Sequence, residues 1–223
     1  METLNRLWKK GQDFLGVKYP IMAGAMTWIS NHRFVSAVSN VGGFGCLAAG
    51  NMPLELLEEE IDKTFQKTDK PFAVNLITIS PNYKEHLDLT IRKKVPFIIF
   101  AGSFPRASEV RKAKESGAKV IAFASNDSIA KRMINSGIDA LMLEGSEAGG
   151  HIGHVSLVIL LQQVLLKMQD IPIFVAGGIA TGQLMAHLLL AGAAGIQMGT
   201  RFILTEECEV SAQFRNAFVK ARA

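Results

Sequence analysis

Cysteine is almost missing from this chain: Cys46 and Cys208 are the two present in 223 residues. One distant pair makes no disulfide framework, and buried free thiols in a reducing cytosol are the expected state. Long apolar runs are missing too; none approaches the roughly 20 residues that a membrane-spanning helix needs. No secretory signal pattern is seen, because Met1–Gln12 mixes charged and apolar residues. Charge of one sign is not concentrated anywhere. The 24 basic and 20 acidic residues interleave, and the longest basic clusters are Lys9-Lys10 and Arg92-Lys93-Lys94. Nucleic-acid binding needs a basic stripe with base-reading or stacking groups, so that class is set aside. These absences point to a cytoplasmic protein without a nucleic-acid or membrane partner. The net charge of +4 suits an anionic ligand, such as a phosphate or an acidic carrier protein.

What is present is apolar and alternating. At 48% hydrophobic residues, the chain can bury a sizeable core, and its length fits one domain over residues 1–223. Short β-rich runs fall at Tyr19–Met22, Phe44–Leu47, Phe72–Leu76, Phe97–Ala101, Lys119–Phe123, Ala140–Glu144, Ile173–Ala176 and Gly195–Met198. Their spacing is what a strand, loop and crossover helix require. Between them, Leu54–Lys67 predicts a helix with Leu57, Ile61 and Phe65 on one face. Ala107–Ser116 and Ile129–Ser136 are amphipathic and stop at Gly117 and Gly137. Val155–Met168 and Thr181–Leu190 predict two more helices, and Val210, Phe214 and Phe218 give a last one its apolar stripe. Eight β/α units predict a closed (β/α)8 barrel with parallel strands. An open doubly wound sheet usually places its glycine-rich loop after the first strand; here such loops follow strands six, seven and eight. The segment up to Phe14 predicts a helix that plugs the bottom of the barrel.

Barrel active sites form at the C-terminal ends of the strands, so the residues just after each run are the candidates. Gly177-Gly178 and Gly199-Thr200 follow strands seven and eight. Glycine lets backbone N–H groups approach an anion, and a following helix adds its N-terminal dipole. Together the two loops predict a phosphate cup; the alternative is that they only make tight turns. Asn75 is polar at the mouth of an apolar strand, placed to meet a ligand edge or to cap a turn. Glu144 ends an apolar strand and needs a partner, whether a ligand hydroxyl or a buried backbone donor. His151 sits in the loop Glu144-Gly145-Ser146-Glu147-Ala148-Gly149-Gly150-His151, and an imidazole projecting into the site suits proton transfer. His154 is a weaker candidate. Two histidines at that spacing make a poor metal site, and no metal is expected. His32, His86 and His187 fall in helical patterns and read as structural.

The motifs Tyr-Pro-Ile-Met-Ala-Gly-Ala-Met at 19–26, Lys-Pro-Phe-Ala-Val-Asn at 70–75 and Glu-Gly-Ser-Glu-Ala-Gly-Gly-His-Ile-Gly at 144–153 stand in that order. Val-Ala-Gly-Gly-Ile-Ala at 175–180 and Gln-Met-Gly-Thr-Arg-Phe at 197–202 complete the set. In this combination the chain resembles the nitronate monooxygenase (2-nitropropane dioxygenase) family and its relative, the FMN-dependent enoyl-acyl-carrier-protein reductase II. The resemblance implies an FMN barrel. Met22, Ala23 and Gly24 would line the flavin by backbone contact, and Asn75, Glu144, Gly149 and Gly150 would contact the cofactor. Gly177, Gly178, Gln197, Met198, Gly199 and Thr200 would hold the phosphate end, with His151 as the catalytic histidine. The leading expectation is oxidation of alkyl nitronates with dioxygen. The alternatives are enoyl-thioester reduction with NADH or NADPH, with acyl carrier protein as partner, and a non-catalytic flavin- or phosphate-binding barrel. A homodimer is a candidate assembly. Family members continue beyond the eighth strand with a segment that covers the flavin; this chain carries one short helix there, so a barrel without that cover is expected.

Overall fold

The structure, a computed structural model, describes residues 6–168 and 170–221. Eight parallel strands close into a barrel in sequence order. They are β1 (Ile21–Ala23), β2 (Phe44–Ala48), β3 (Phe72–Ile77), β4 (Phe97–Ala101), β5 (Lys119–Ala124), β6 (Ala140–Glu144), β7 (Ile173–Ala176) and β8 (Gly195–Met198). Closure comes from β1 against β8, with Ile21 opposite Ile196 and Ala23 opposite Met198. The expected strands are all present within a residue or two. β1 starts later than expected: Pro20 has no N–H to give a ladder, and the Tyr19 amide is spent on the Gly42 carbonyl at 2.8 Å.

The helices α1 (Lys9–Leu15), α2 (His32–Asn40), α3 (Leu54–Lys67), α4 (Tyr83–Arg92), α5 (Ala107–Glu115) and α6 (Asp127–Asn135) come first. They are followed by α7 (Leu157–Leu160), α8 (Gly182–Leu190), α9 (Thr200–Ile203) and α10 (Ala212–Lys220). Side-chain caps set several of their starts. Asn31 accepts from Arg33 and Phe34, Asn126 from Ile129, and Thr181 from Leu184. Gly117 and Gly137, past the ends of α5 and α6, have φ of 92° and 88°, a backbone shape that glycine adopts without strain. Two helices differ from expectation. The α7 segment widens after Leu160 into a π-helical turn over Leu161–Leu165, with the Leu166 amide bonded to the Leu161 carbonyl at 3.0 Å. On α3, Leu57 and Ile61 are buried, but Phe65 is 43% exposed and lies edge-on against Phe72.

Alternation along the strands separates two cores. Val74, Leu76, Ile98, Val120, Leu141 and Val175 face outward to the helices. Met22, Phe44, Cys46, Phe97, Met142 and Phe174 fill the barrel interior. The bottom is plugged by α1, as expected, although residues 1–5 of that segment lie outside the described residues. The ring centroids of Phe14 and Phe97 are 5.8 Å apart, and those of Phe14 and Phe174 are 5.9 Å apart. The Lys119 ammonium lies over the rings of Phe14 and Phe97 and donates to the Phe14 carbonyl. Gly11 has no room for a side chain, since a Cβ there would lie 1.9 Å from the Ala194 carbonyl oxygen. With the bottom filled, the open end of the barrel is the C-terminal one.

Candidate active site at the barrel mouth

A cavity of about 1070 Å³ opens at the C-terminal ends of the strands. Loops after β1 to β8, and α10, contribute to it. Its two halves differ in chemistry. Around β6 to β8 the wall is glycine and polar groups. Around β3 to β5 it carries the large apolar side chains Ile77, Ile79, Phe104, Phe123 and Ile129, interspersed with Asn75, Ser80, Ser103 and Ser125.

On the polar side, Gly177, Gly178, Gly199 and Thr200 all line the cavity. Gly177 and Gly178 have φ of 105° and 66°. Two consecutive residues of this kind turn the chain sharply just past β7, and glycine alone does so cheaply. The Gly178 and Thr200 amides donate to no other group among the described residues. Gln197 and Met198 line the cavity as well, and the Gln197 side chain lies against Gly24, where a Cβ would come within 3.1 Å of it. Arg201, one residue past the cup, adds an exposed cation to the same wall. Sequence reading stopped at Thr200, although the arginine stood next in the same motif.

The β6–α7 loop carries the titratable groups. Its base is pinned: Ala148 N–H donates to the Gly145 carbonyl at 3.0 Å, and Ser146 N–H to Val155 at 2.9 Å. The Glu147 carboxylate accepts from the Leu157 amide at 2.9 Å and so caps α7. Gly153 lies on Ser125, where a Cβ would come within 2.3 Å of the serine Cβ. Between these pins, Gly149 and Gly150 face open space, and both line the cavity with His151. The His151 ring is exposed and has no protein hydrogen bond among the described residues. His154 does not line the cavity. Glu144, half-buried at the end of β6, also faces the cavity, with no cation or donor on its carboxylate among the described residues. Burial pushes its carboxyl up from the ordinary 4.5 to about 7. Asn75 is buried at the end of β3 and lines the cavity.

Met22 and Ala23 stand apart from these. Both are fully buried and neither lines the cavity; Met22 packs in the barrel interior and Ala23 against the helices. The residues just past β1, Gly24, Ala25, Met26 and Thr27, line it instead. The other three histidines have structural partners. His32 Nδ1 meets Glu60 at 2.9 Å, His86 Nε2 meets the Met52 carbonyl at 3.0 Å, and His187 Nδ1 meets the Gln183 carbonyl at 2.7 Å. Cys46 and Cys208 are free and buried. Among the described residues, no cluster of acidic, histidine and cysteine side chains could hold a metal, and no helix is long and apolar enough to cross a membrane.

Fold and site thus define a β/α barrel with glycine turns after β7 and β8 that line a large cavity above its core. The family model for nitronate monooxygenase matches residues 9–86 and 77–223. The chain belongs to the nitronate monooxygenase family. Among its relatives is a (3aS,4S,5R,7aS)-5-hydroxy-7a-methyl-1-oxo-octahydro-1H-indene-4-carboxyl-CoA dehydrogenase of Rhodococcus jostii strain RHA1. It is 37% identical over 207 residues, which cover 93% of this chain and 58% of that protein. A probable nitronate monooxygenase of Staphylococcus aureus strain MRSA252 is 29% identical over 263 residues, covering 97% of this chain and 74% of the relative. The solved structure of FabK from Thermotoga maritima superposes with a TM-score of 0.90 at 39% identity. That match covers 94% of this chain and 67% of FabK. The chain therefore spans less than two thirds of the length of the dehydrogenase it matches. All three relatives carry the names of oxidoreductases.

Proposed function

We propose that this chain forms the FMN-binding barrel of an oxidoreductase that acts on an acyl thioester. The observation that carries the reading is the cavity itself, with a glycine cup and an unpaired carboxylate on one side and an apolar wall on the other. The residues fit FMN. The free amides of Gly178 and Thr200 would hold its phosphate, with Gly177 and Gly199 shaping the turns and Arg201 supplying the charge. Glu144 would accept a ribityl hydroxyl, which gives its carboxylate the partner it lacks among the described residues. Asn75, Gly149 and Gly150 would border the ring system, and Gly24 would take the place of Met22 and Ala23 at its β1 edge. When bound, the flavin supplies the electron transfer, and NADH or NADPH would supply hydride to it in a reductase. His151 then stands on a pinned loop, free to give or take a proton at the substrate.

Loop length favours the thioester over the nitronate. The 207 positions aligned with the CoA-thioester dehydrogenase are 93% of this chain, so the two run in step. The alignment with the probable nitronate monooxygenase runs over 263 positions, more than the whole of this chain, so that relative carries inserted residues. The family match restarts within residues 77–86, the segment after β3 that borders the cavity. Nitronate oxidation is the second reading, supported by the family's own name. The test is anaerobic reaction of the FMN-loaded protein. Reduction by NADH or NADPH followed by reoxidation with an enoyl thioester supports the proposal; bleaching by a nitronate alone supports the second reading. Tight binding of FAD in place of FMN would remove the phosphate-cup assignment.

A further inference from the structure

Resting on the reading of His151 as the proton-transfer group, we infer that Glu147 is a positioning residue. It ties the His151 loop to the turn that would hold the FMN phosphate, so that phosphate binding steadies the histidine. Glu147 stands at the neck of the loop, is exposed and lines the cavity. Its carboxylate closes the loop on itself. Both oxygens accept from the Leu157 amide, at 3.1 and 2.9 Å, across ten positions of chain. That amide is the first of α7 and has no carbonyl partner within the helix. A charged acceptor holds it more strongly than a neutral one would. Gly145 leaves room for the contact: a Cβ there would lie 2.3 Å from Glu147 Oε2 and 2.6 Å from the Leu157 nitrogen.

The same residue lies over the turn after β7. A Cβ on Gly178 would come within 3.2 Å of Glu147 Cβ and 3.8 Å of its Cγ. One on Gly177 would come within 3.2 Å of the Ala148 nitrogen and of the Gly145 carbonyl oxygen. The Gly145 amide donates to the Ala176 carbonyl at 3.2 Å, which fixes the neck to the end of β7. The neck and the turn at 177–178 are packed on each other, so a shift of one presses on the other. Beyond the neck the loop is held more thinly: Gly149 and Gly150 face open space, and His151 is exposed. A histidine on such a tip is placed only as well as its neck is held. A misplacement of about 1 Å can cost a hundredfold in rate. A phosphate on the Gly178 amide would fix the turn, and Glu147 passes that fixity to the loop.

The test compares Glu147→Ala, Glu147→Asp and Glu147→Gln with the wild type by two readouts. One is the rate at which an enoyl thioester reoxidises the reduced flavin. The other is the set of backbone NMR order parameters at residues 151–154, with FMN bound and with riboflavin bound. In the wild type, FMN should raise these order parameters above their riboflavin values. In Glu147→Ala that difference should vanish with FMN still bound, and reoxidation should slow by about tenfold to a hundredfold. Glu147→Asp keeps the charge but falls one methylene short, so it should behave like Glu147→Ala; it serves as the test if the alanine variant does not fold. Glu147→Gln keeps an acceptor oxygen at the same reach and should restore most of both readouts, with the wild-type pH profile. A glutamine variant as slow as the alanine one makes the carboxylate itself the acid or base and overturns the positioning role. Equal order parameters with FMN and riboflavin in the wild type, or an undiminished difference in Glu147→Ala, overturn the tie to the phosphate turn. If an enoyl thioester does not reoxidise the wild type, the underlying reading of His151 falls, while the order parameters still decide the tie.

Discussion

His151 and Glu144 stand on the same loop base but differ in exposure, and that difference sets what each can do. His151 is exposed at the loop tip and has no hydrogen bond among the described residues. Its replacement by alanine should therefore leave folding and FMN affinity unchanged. Turnover with an enoyl thioester should fall by about 10²–10⁴ if the histidine transfers the proton. Steady-state rates beside flavin absorbance check this, and unchanged turnover would remove His151 from the mechanism. Glu144 is half-buried, and its carboxyl titrates near 7 in the flavin-free fold against an ordinary 4.5. The folded state thus holds a proton that the unfolded chain has already lost. Stability should fall as pH rises from about 4.5 to about 7 and level off above that. Glu144→Gln should abolish that slope, and its melting temperature should exceed the wild type's at pH 8 more than at pH 5. Thermal melts of the apoprotein across pH decide it. Their place at the cavity was legible from sequence, Glu144 as a polar group ending an apolar strand and His151 as the titratable side chain of the glycine-rich loop after it. The part of Glu147 was not, since only the fold sets it against the Leu157 amide and the turn after β7.

At the scale of elements, the turns after β7 and β8 and the plugging helix matter most. Gly178 has a φ of 66°, and a Cβ there would come within 3.2 Å of the Glu147 Cβ. Gly178→Ala carries a left-handed penalty of roughly 1–2 kcal/mol and crowds the cup from the loop side. FMN affinity should drop about tenfold or more, read from the quenching of flavin fluorescence. The plug is tighter still. Gly11→Ala drives a methyl into the Ala194 carbonyl, and unfolding free energy should fall by about 1–3 kcal/mol, measured by urea denaturation. Helix ends were readable where the signal is local: Gly117 and Gly137 stop α5 and α6, and Thr181 starts α8 by accepting from the Leu184 amide. The π-helical turn at Leu161–Leu165 was not readable, as an all-apolar run carries no mark of which hydrogen-bond spacing it will take.

For the whole molecule, the cavity couples ligand to fold. FMN that binds the barrel and not the unfolded chain should stabilise it by about 2.7 kcal/mol at a hundredfold excess over Kd. Differential scanning calorimetry with FMN and with riboflavin tests this. If the cup holds phosphate, FMN should raise the melting temperature well beyond what riboflavin does; equal shifts would discount the cup.

The sequence by itself determined the number of strands, their order and the late position of the glycine loops. Each of these follows from local patterns: apolar runs, turn residues and spacing. From eight units and loops after the last three, a closed barrel with its site at one mouth was already the economical reading. Only the tertiary structure decided what meets across that mouth. It packed Met22 and Ala23 away from the cavity and set Gly24, just past β1, in its lining, because barrel curvature and the β1–β8 register set where a strand first meets the mouth. It also faced the apolar ends of β3 and β4 toward the cup after β7 and β8. Such contacts link residues a hundred positions apart, and no local pattern carries them. The opening of the barrel turned a list of glycines and a histidine into a cavity with a polar half and an apolar half.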